Sequence, residues 1–183
     1  LTFSNKHNSI LNVKMQNFTY SNGDERRIIR NLHFCDNRNE EQRLTMINSD
    51  FIDLSIIGQY DYKSILANLH KSASRHIPSL FTLNETKNDN KCNYIFKCDI
   101  KDSHFVSDLL KLPITINKPS FINGECNDGN ETLSVNITLN DIEINKSKYN
   151  TVAFNGKSTK KDLSINSYII IPARKTSNEN IRI

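Results

Sequence analysis

The stretch Leu44–Pro78, LTMINSDFIDLSIIGQYDYKSILANLHKSASRHIP, runs an alternating strand pair directly into one amphipathic helix that a proline stops. Ile52, Leu54, Ile56, Gly58 and Tyr60 fall on one side of an extended chain, while Asp53, Ser55, Ile57 and Gln59 fall on the other. That two-residue period belongs to a strand with one apolar face and one wet face. Asp61 then stands at an N-cap position, and Tyr62, Ile65, Leu66, Leu69, Ala73 and Ile77 recur at the three-and-four spacing of a helix that buries one stripe. Pro78 cannot continue the helical ladder and marks its end.

Outward from this stretch the two-residue period dominates. Leu11, Val13 and Met15 alternate upstream, and Ile28, Leu32 and Phe34 follow around an Asn22-Gly23 turn, so residues 1–60 read as a β meander and 61–80 as the amphipathic helix. After a polar loop over 84–91, residues 92–183 read as a strand-rich segment that starts with Tyr94, Phe96, Cys98 and Ile100. A second, short helix is expected over 103–112, capped by Asp102 or Ser103, with Phe105, Val106, Leu109 and Leu110 as its stripe before Pro113. Beyond it come short apolar alternations: Ile114 and Ile116; Ile122, Gly124 and Cys126; Leu133, Val135, Ile137 and Leu139; Ile142 and Ile144; Thr151 and Ala153; Leu163, Ile165 and Ile169. Asp128-Gly129 and Asn155-Gly156 are the turn signals among them.

The expected fold class is therefore mainly β with one longer and one short α-helix, in one continuous domain. Strands every ten or so residues suit a sandwich, a barrel or a long curled sheet equally well. Two helices, however, cannot cover the apolar faces of about ten strands, so the sheet either covers itself, as a β-sandwich does, or leaves an apolar lining open.

Composition narrows the function classes. Of 183 residues only 37% are hydrophobic, Trp is absent and roughly one residue in seven is Asn, which favours many short strands and turns over a thick core. A net charge of +4, from Lys and Arg scattered along the chain, implies no nucleic-acid partner. No apolar run approaches the roughly 20 residues of a membrane span, and no signal peptide opens the sequence. The chain begins with Leu1 and is expected to be a piece of a longer protein. Cys35, Cys92, Cys98 and Cys126 fit no zinc spacing and read as buried free thiols, with one disulfide as the alternative.

Catalytic patterns are weak throughout. Asp50 and Asp53 are three apart on an extended strand and point to opposite faces, which suits turn duty better than a carboxylate pair. His7, His33, His70, His76 and His104 include no pair at metal spacing, and five glycines are too few for a nucleotide-binding loop. Neither an enzyme nor a cofactor is expected. Arg26, Arg27 and Arg30, with Lys157, Lys160 and Lys161, are candidates for anionic headgroups, although solvated strand ends explain them as well. Asn17, Asn84, Asn130, Asn136 and Asn145 open N-x-[ST] patterns that an Asn-rich chain produces by chance.

The Leu44–Pro78 stretch resembles a segment of the TamB family, the AsmA-like proteins of Gram-negative envelopes, and particularly its Bacteroidetes-type members, through Ser49, Asp50, Phe51, Asp53, Gly58 and Tyr60 and the helix that ends near proline. The segment DSHFVSDLLKLPITINKPSFINGECND is similar in order, and Phe105, Leu109, Leu110, Gly124 and Gly156 match by position and type. This resemblance implies a β-taco: a sheet curled into a long trough with an apolar interior, held in the periplasm between an inner-membrane anchor and an outer-membrane assembly factor that partners the parent chain. It also implies phospholipid transport and outer-membrane protein assembly, with phospholipid acyl chains in the groove. The residues expected to line that groove are Ile52, Leu54, Ile56, Phe96, Leu133, Val135, Ile137, Leu163 and Ile165. The rival expectation is a secreted β-sandwich for adhesion or glycan binding, with specificity in loops such as 84–91; the absence of Trp counts against a glycan site.

Overall fold

The computed structural model of the chain describes residues 9–22, 25–76, 92–104, 107 and 113–172. Among the described residues nine strands pair in chain order into a single antiparallel sheet: β1 (Ser9–Asn22), β2 (Glu25–Arg38), β3 (Arg43–Ser49), β4 (Ile52–Gln59), β5 (Asn93–Ile100), β6 (Ile114–Asn127), β7 (Thr132–Ile144), β8 (Ser147–Ser158) and β9 (Leu163–Ile170). One helix, α1 (Tyr62–His76), interrupts the meander between β4 and β5. β1 and β9 do not pair, so the sheet is open, as a curled sheet requires and a barrel does not. Two stacked sheets are absent among the described residues, and the β-sandwich expectation is set aside.

Local chemistry explains the elements. Asp61 caps α1 as expected: its carboxylate accepts the Ser64 N–H at 2.8 Å and the Ser64 hydroxyl at 2.6 Å, satisfying an otherwise unpaired donor of the first turn. The expected end at Pro78 lies outside the described residues, as does Gly23. Of the expected short helix only a first turn is described, in which Ser107 N–H reaches Ser103 C=O at 2.8 Å; the rest of 103–112 lies outside the described residues.

Two expected strand pairs prove to be single long strands. Ile114 and Ile116 belong to the same β6 as Ile122, and Ile142 and Ile144 continue the β7 of Leu133. What separates them is a register shift between Lys118 and Phe121. Pro119 has no N–H to give a central strand, and a bulge is where a sheet tolerates it. There the fully buried Ser120 hydroxyl accepts the Asn140 N–H at 2.8 Å and donates to Lys118 C=O at 3.0 Å.

Turns show the same mixture. Asp128-Gly129 does begin the β6–β7 connection, closed by Glu131 N–H to Asp128 C=O at 3.2 Å. Asn155-Gly156, by contrast, is not a turn: both residues are paired inside β8, opposite Asn136 and Val135. The actual β7–β8 turn is Asn145-Lys146, with φ of 48° and 68°, the pair of left-handed residues a two-residue hairpin needs.

α1 lies across one end of the sheet. Fifteen residues span about 22 Å, enough to cross four or five strands spaced about 4.8 Å apart. Its first residue meets β3, where the Tyr62 hydroxyl is 3.0 Å from the Thr45 hydroxyl. Its last turn reaches the β8–β9 connection, where Arg75 donates to Thr159 C=O at 3.3 Å and His76 Nε2 lies 3.1 Å from the Ser158 hydroxyl. Between them Lys71 pairs with Asp128 at 3.2 Å and Arg75 with Glu131 at 3.5 Å.

A polar network holds the first of these contacts. Arg43 forks onto Asp36 at 2.8 and 2.5 Å, the Thr45 hydroxyl donates to Asp36 at 2.9 Å, and the buried Tyr60 hydroxyl donates to Thr45 at 2.7 Å. The Arg43 guanidinium also stacks 4.0 Å above the Tyr62 ring. Arg43 holds the Asp36 carboxyl below the ordinary carboxylate range, against an opposing push from burial. A carboxyl with a depressed folded pKa stabilises the fold above its unfolded pKa, and the contribution is lost as pH falls through the folded value. Asp36→Asn is expected to cost about 1.5–3 kcal/mol at pH 7 in urea unfolding, a gap that narrows as pH falls below about 4; an unchanged gap at low pH contradicts this reading.

Gly58 gives a second check. Its φ is +142°, and a Cβ there would collide with the Asn93 carbonyl oxygen and lie 2.6 Å from the Tyr94 Cα. Gly58→Ala is expected to destabilise by more than about 2 kcal/mol in the same assay.

Candidate apolar groove

Antiparallel pairing puts directly opposed residues on the same face. The register therefore aligns Val13, Phe34, Ile47, Leu54, Cys98, Ile122, Ile137, Phe154 and Ser167 in one row that crosses every strand. Eight of these nine side chains are apolar, because the alternations of all the strands coincide. One row nearer α1 run Thr45, Ile56, Phe96, Gly124, Val135, Gly156 and Ile165. The sites Gly124 and Gly156 have no side chain of their own, and the Phe96 and Phe154 rings occupy the space a Cβ would need, 2.7 Å from each position. Large side chains thus lie over small neighbours on this face.

All nine residues expected to line the groove share this face. Ile56, Phe96, Leu133 and Val135 fall in or against the cluster that α1 covers, with Tyr60, Cys92, Tyr94, Cys126 and the helical Ile65. Leu54 and Ile137 lie in the next row, and Ile52 further from α1, opposite Ile100. These three are half-buried. Leu163 and Ile165 sit on the edge strand β9 and are exposed, Ile165 at 51%. The helix-covered end is thus a small closed core, and the remainder of the face is an apolar strip that no other described element covers. Val13, Phe34, Ile47, Ile122 and Phe154 belong to the strip too; the register, which depends on knowing partners, is what reveals them.

The opposite face is mixed: Leu44, Ile57 and Ile95 are paired on it and Met46 and Phe121 are exposed there, but polar residues make up most of the rest. Asn123, Asn136 and Asn155 form a ladder in which Asn136 donates to Asn123 at 3.1 Å and Asn155 donates to Asn136. Asp50 accepts the Arg30 N–H at 2.6 Å, and Asp53 accepts from Lys101 at 2.7 Å and Asn48 at 2.9 Å, so both carboxylates fasten turns. The two basic groups do not meet: Arg26 belongs to the end of β2 away from α1, whereas Lys160 lies at the α1 end, 3.7 Å from Glu131. Among the described residues no three His, Cys, Asp or Glu side chains converge on a metal position, and no helix is long and apolar enough to cross a membrane.

The described cysteines are free. Burial pushes the Cys92 and Cys126 thiols up and Cys98 up to about 11, and burial likewise raises the Tyr94 hydroxyl. These groups behave as packing, with thiolates suppressed by the apolar surroundings. Neither protein-family models nor curated proteins nor solved structures gave a match to this chain.

Thiol chemistry checks the closed end independently. With a thiol-specific chromogenic reagent at pH 8, half-exposed Cys35 is expected to react first. Cys98 is expected to react at least about a hundredfold more slowly until denaturant is added; four equally fast thiols would contradict the buried arrangement.

Proposed function

We propose that this chain is a noncatalytic lipid-holding segment, in which the strip beyond α1 takes phospholipid acyl chains along an open apolar groove. The observation that carries the reading is the apolar row from Val13 to Phe154, which no element among the described residues covers outside the α1 core. An acyl chain gains about 0.8 kcal/mol for each CH₂ it buries, and such a chain needs no directional partner, which suits a lining of Leu, Ile, Val and Phe. Proton transfer, nucleophiles and metals have no part in this reading.

The resemblance of Leu44–Pro78 to the TamB family supports the reading of a periplasmic segment whose parent is anchored in the inner membrane, moves phospholipid toward the outer membrane and engages an outer-membrane assembly factor. The adhesion or glycan-binding alternative needs a second sheet to bury the same residues, and no described element supplies one.

The test is native mass spectrometry of detergent-free protein from a bacterial host, with organic extraction of bound lipid. Wild type is expected to carry phospholipid. Leu54→Asp and Ile137→Asp are expected to lose most of it while keeping the circular dichroism of the folded sheet. Ser55→Asp, next to Leu54 but on the opposite face, is the control and keeps its lipid. Lipid-free wild type, or equal retention in all three variants, overturns the proposal.

A further inference from the structure

The two edges of the sheet differ in chemistry. β1 carries Lys14 and is interrupted by Asn17 in a left-handed conformation, φ 51°, features that blunt an edge against foreign strands. β9, LSINSYII, has neither charge nor proline nor glycine, and all eight of its residues are exposed, Tyr168 at 56% and Ile169 at 57%. One side of β9 is hydrogen-bonded to β8, and among the described residues nothing pairs with the other.

The asparagine ladder indicates what fits there. Asn123, Asn136, Asn155 and Asn166 are in register across β6 to β9, and the first three are joined through their carboxamides. Asn166, at the free edge, makes no side-chain hydrogen bond among the described residues. A ladder of this kind is extended by another asparagine in register.

We propose that the free edge of β9 is a self-association site, where a second copy of this chain adds its own β9 antiparallel about a two-fold axis through Asn166. That register sets Asn166 opposite Asn166 and Leu163 opposite Ile169, and because β9 is uncharged it brings no like charges together. The contact is isologous, so the β9 edges of both copies are consumed at once, and the blunted β1 edges do not carry the sheet on into a fibre. Opposed residues share a face, so the apolar strip passes from one copy into the next.

The register makes residue 166 its own partner, and this permits a charge-swap test. Sedimentation velocity over a concentration series is expected to show a monomer–dimer equilibrium for wild type. Asn166→Asp and Asn166→Lys, each of which sets like charges face to face, are each expected to weaken dimerisation at least roughly tenfold. An equimolar mixture of the two is expected to restore the dimer. A wild type that stays monomeric, open-ended polymers, dimers indifferent to charge at 166, or failure of the mixture to pair each overturns the proposal. Circular dichroism on both variants establishes that the exposed substitution leaves the fold intact.

Discussion

Register is the constraint on which the molecule depends. A single sheet of nine consecutive antiparallel strands has a sidedness fixed by the two-residue period, and one slipped strand would turn its apolar set toward the wrong face. The chain guards that register with devices particular to each connection. Asn145 and Lys146 adopt the left-handed pair that a two-residue hairpin demands. Ser49 places its hydroxyl 3.0 Å from the Ile52 N–H in the tight β3–β4 turn. At the Pro119 bulge, Ser120 replaces the lost ladder bond with its hydroxyl. Each device returns the following strand to the same face, and the apolar row from Val13 to Phe154 is the consequence.

Closure of one end follows from where the helix is inserted. α1 leaves β4 through Asp61 and must return the chain to β5, the neighbouring strand, at the same end of the sheet. A helix longer than the space between two strands therefore extends sideways over the others. It finds Asp128, Glu131, Ser158 and Thr159 on the connections of β6–β7 and β8–β9. Small buried residues on the helix, Ser64 and Ser74, let it approach closely, and Ser74 keeps its hydroxyl satisfied on the helix's own His70 carbonyl at 2.8 Å. Polar contacts at both ends and the Ile65 contact to the aromatic and thiol cluster fix it in place.

Much of this was legible in the sequence, for physical reasons that can be named. Period-two alternation is local, so β1 to β5, the Asp61 cap and the apolar set of Ile52, Leu54 and Ile56 could be read directly. The failures share a different cause. Asn155-Gly156 has the composition of a hairpin turn, yet Gly156 lies between Val135 and Ile165 in the sheet, where a neighbouring ring needs the room. Ile114 and Ile116 read as separate from Ile122 until the register shift opposite β7 is known. The Asp36, Arg43, Thr45, Tyr60 and Tyr62 network joins residues up to 26 positions apart, with the alternating pattern giving no sign of it. Local composition proposes turns; cross-strand partners decide them.

A one-layer sheet leaves an energetic question that a sandwich does not face. In a sandwich each apolar side chain meets another sheet about 10 Å away and is buried by the fold itself. Here α1 supplies such burial only at one end, where Cys92, Cys126 and Tyr94 are nearly inaccessible, while Leu54, Ile122 and Ile137 in the next row remain half-buried. Burial also occurs at the far end of β6 and β7, where Ile116 and Ile142 are buried, so the half-buried rows lie between two buried ends. In the lipid-holding reading, a flexible apolar ligand relieves the remaining contact of this half-buried strip with water. That reading favours ligands with long hydrocarbon portions over compact polar ones, because the half-buried strip extends across strands and offers few hydrogen-bonding groups. The stability of the segment then depends on its cargo, because filling the strip stabilises the rows of side chains beyond α1 in every strand.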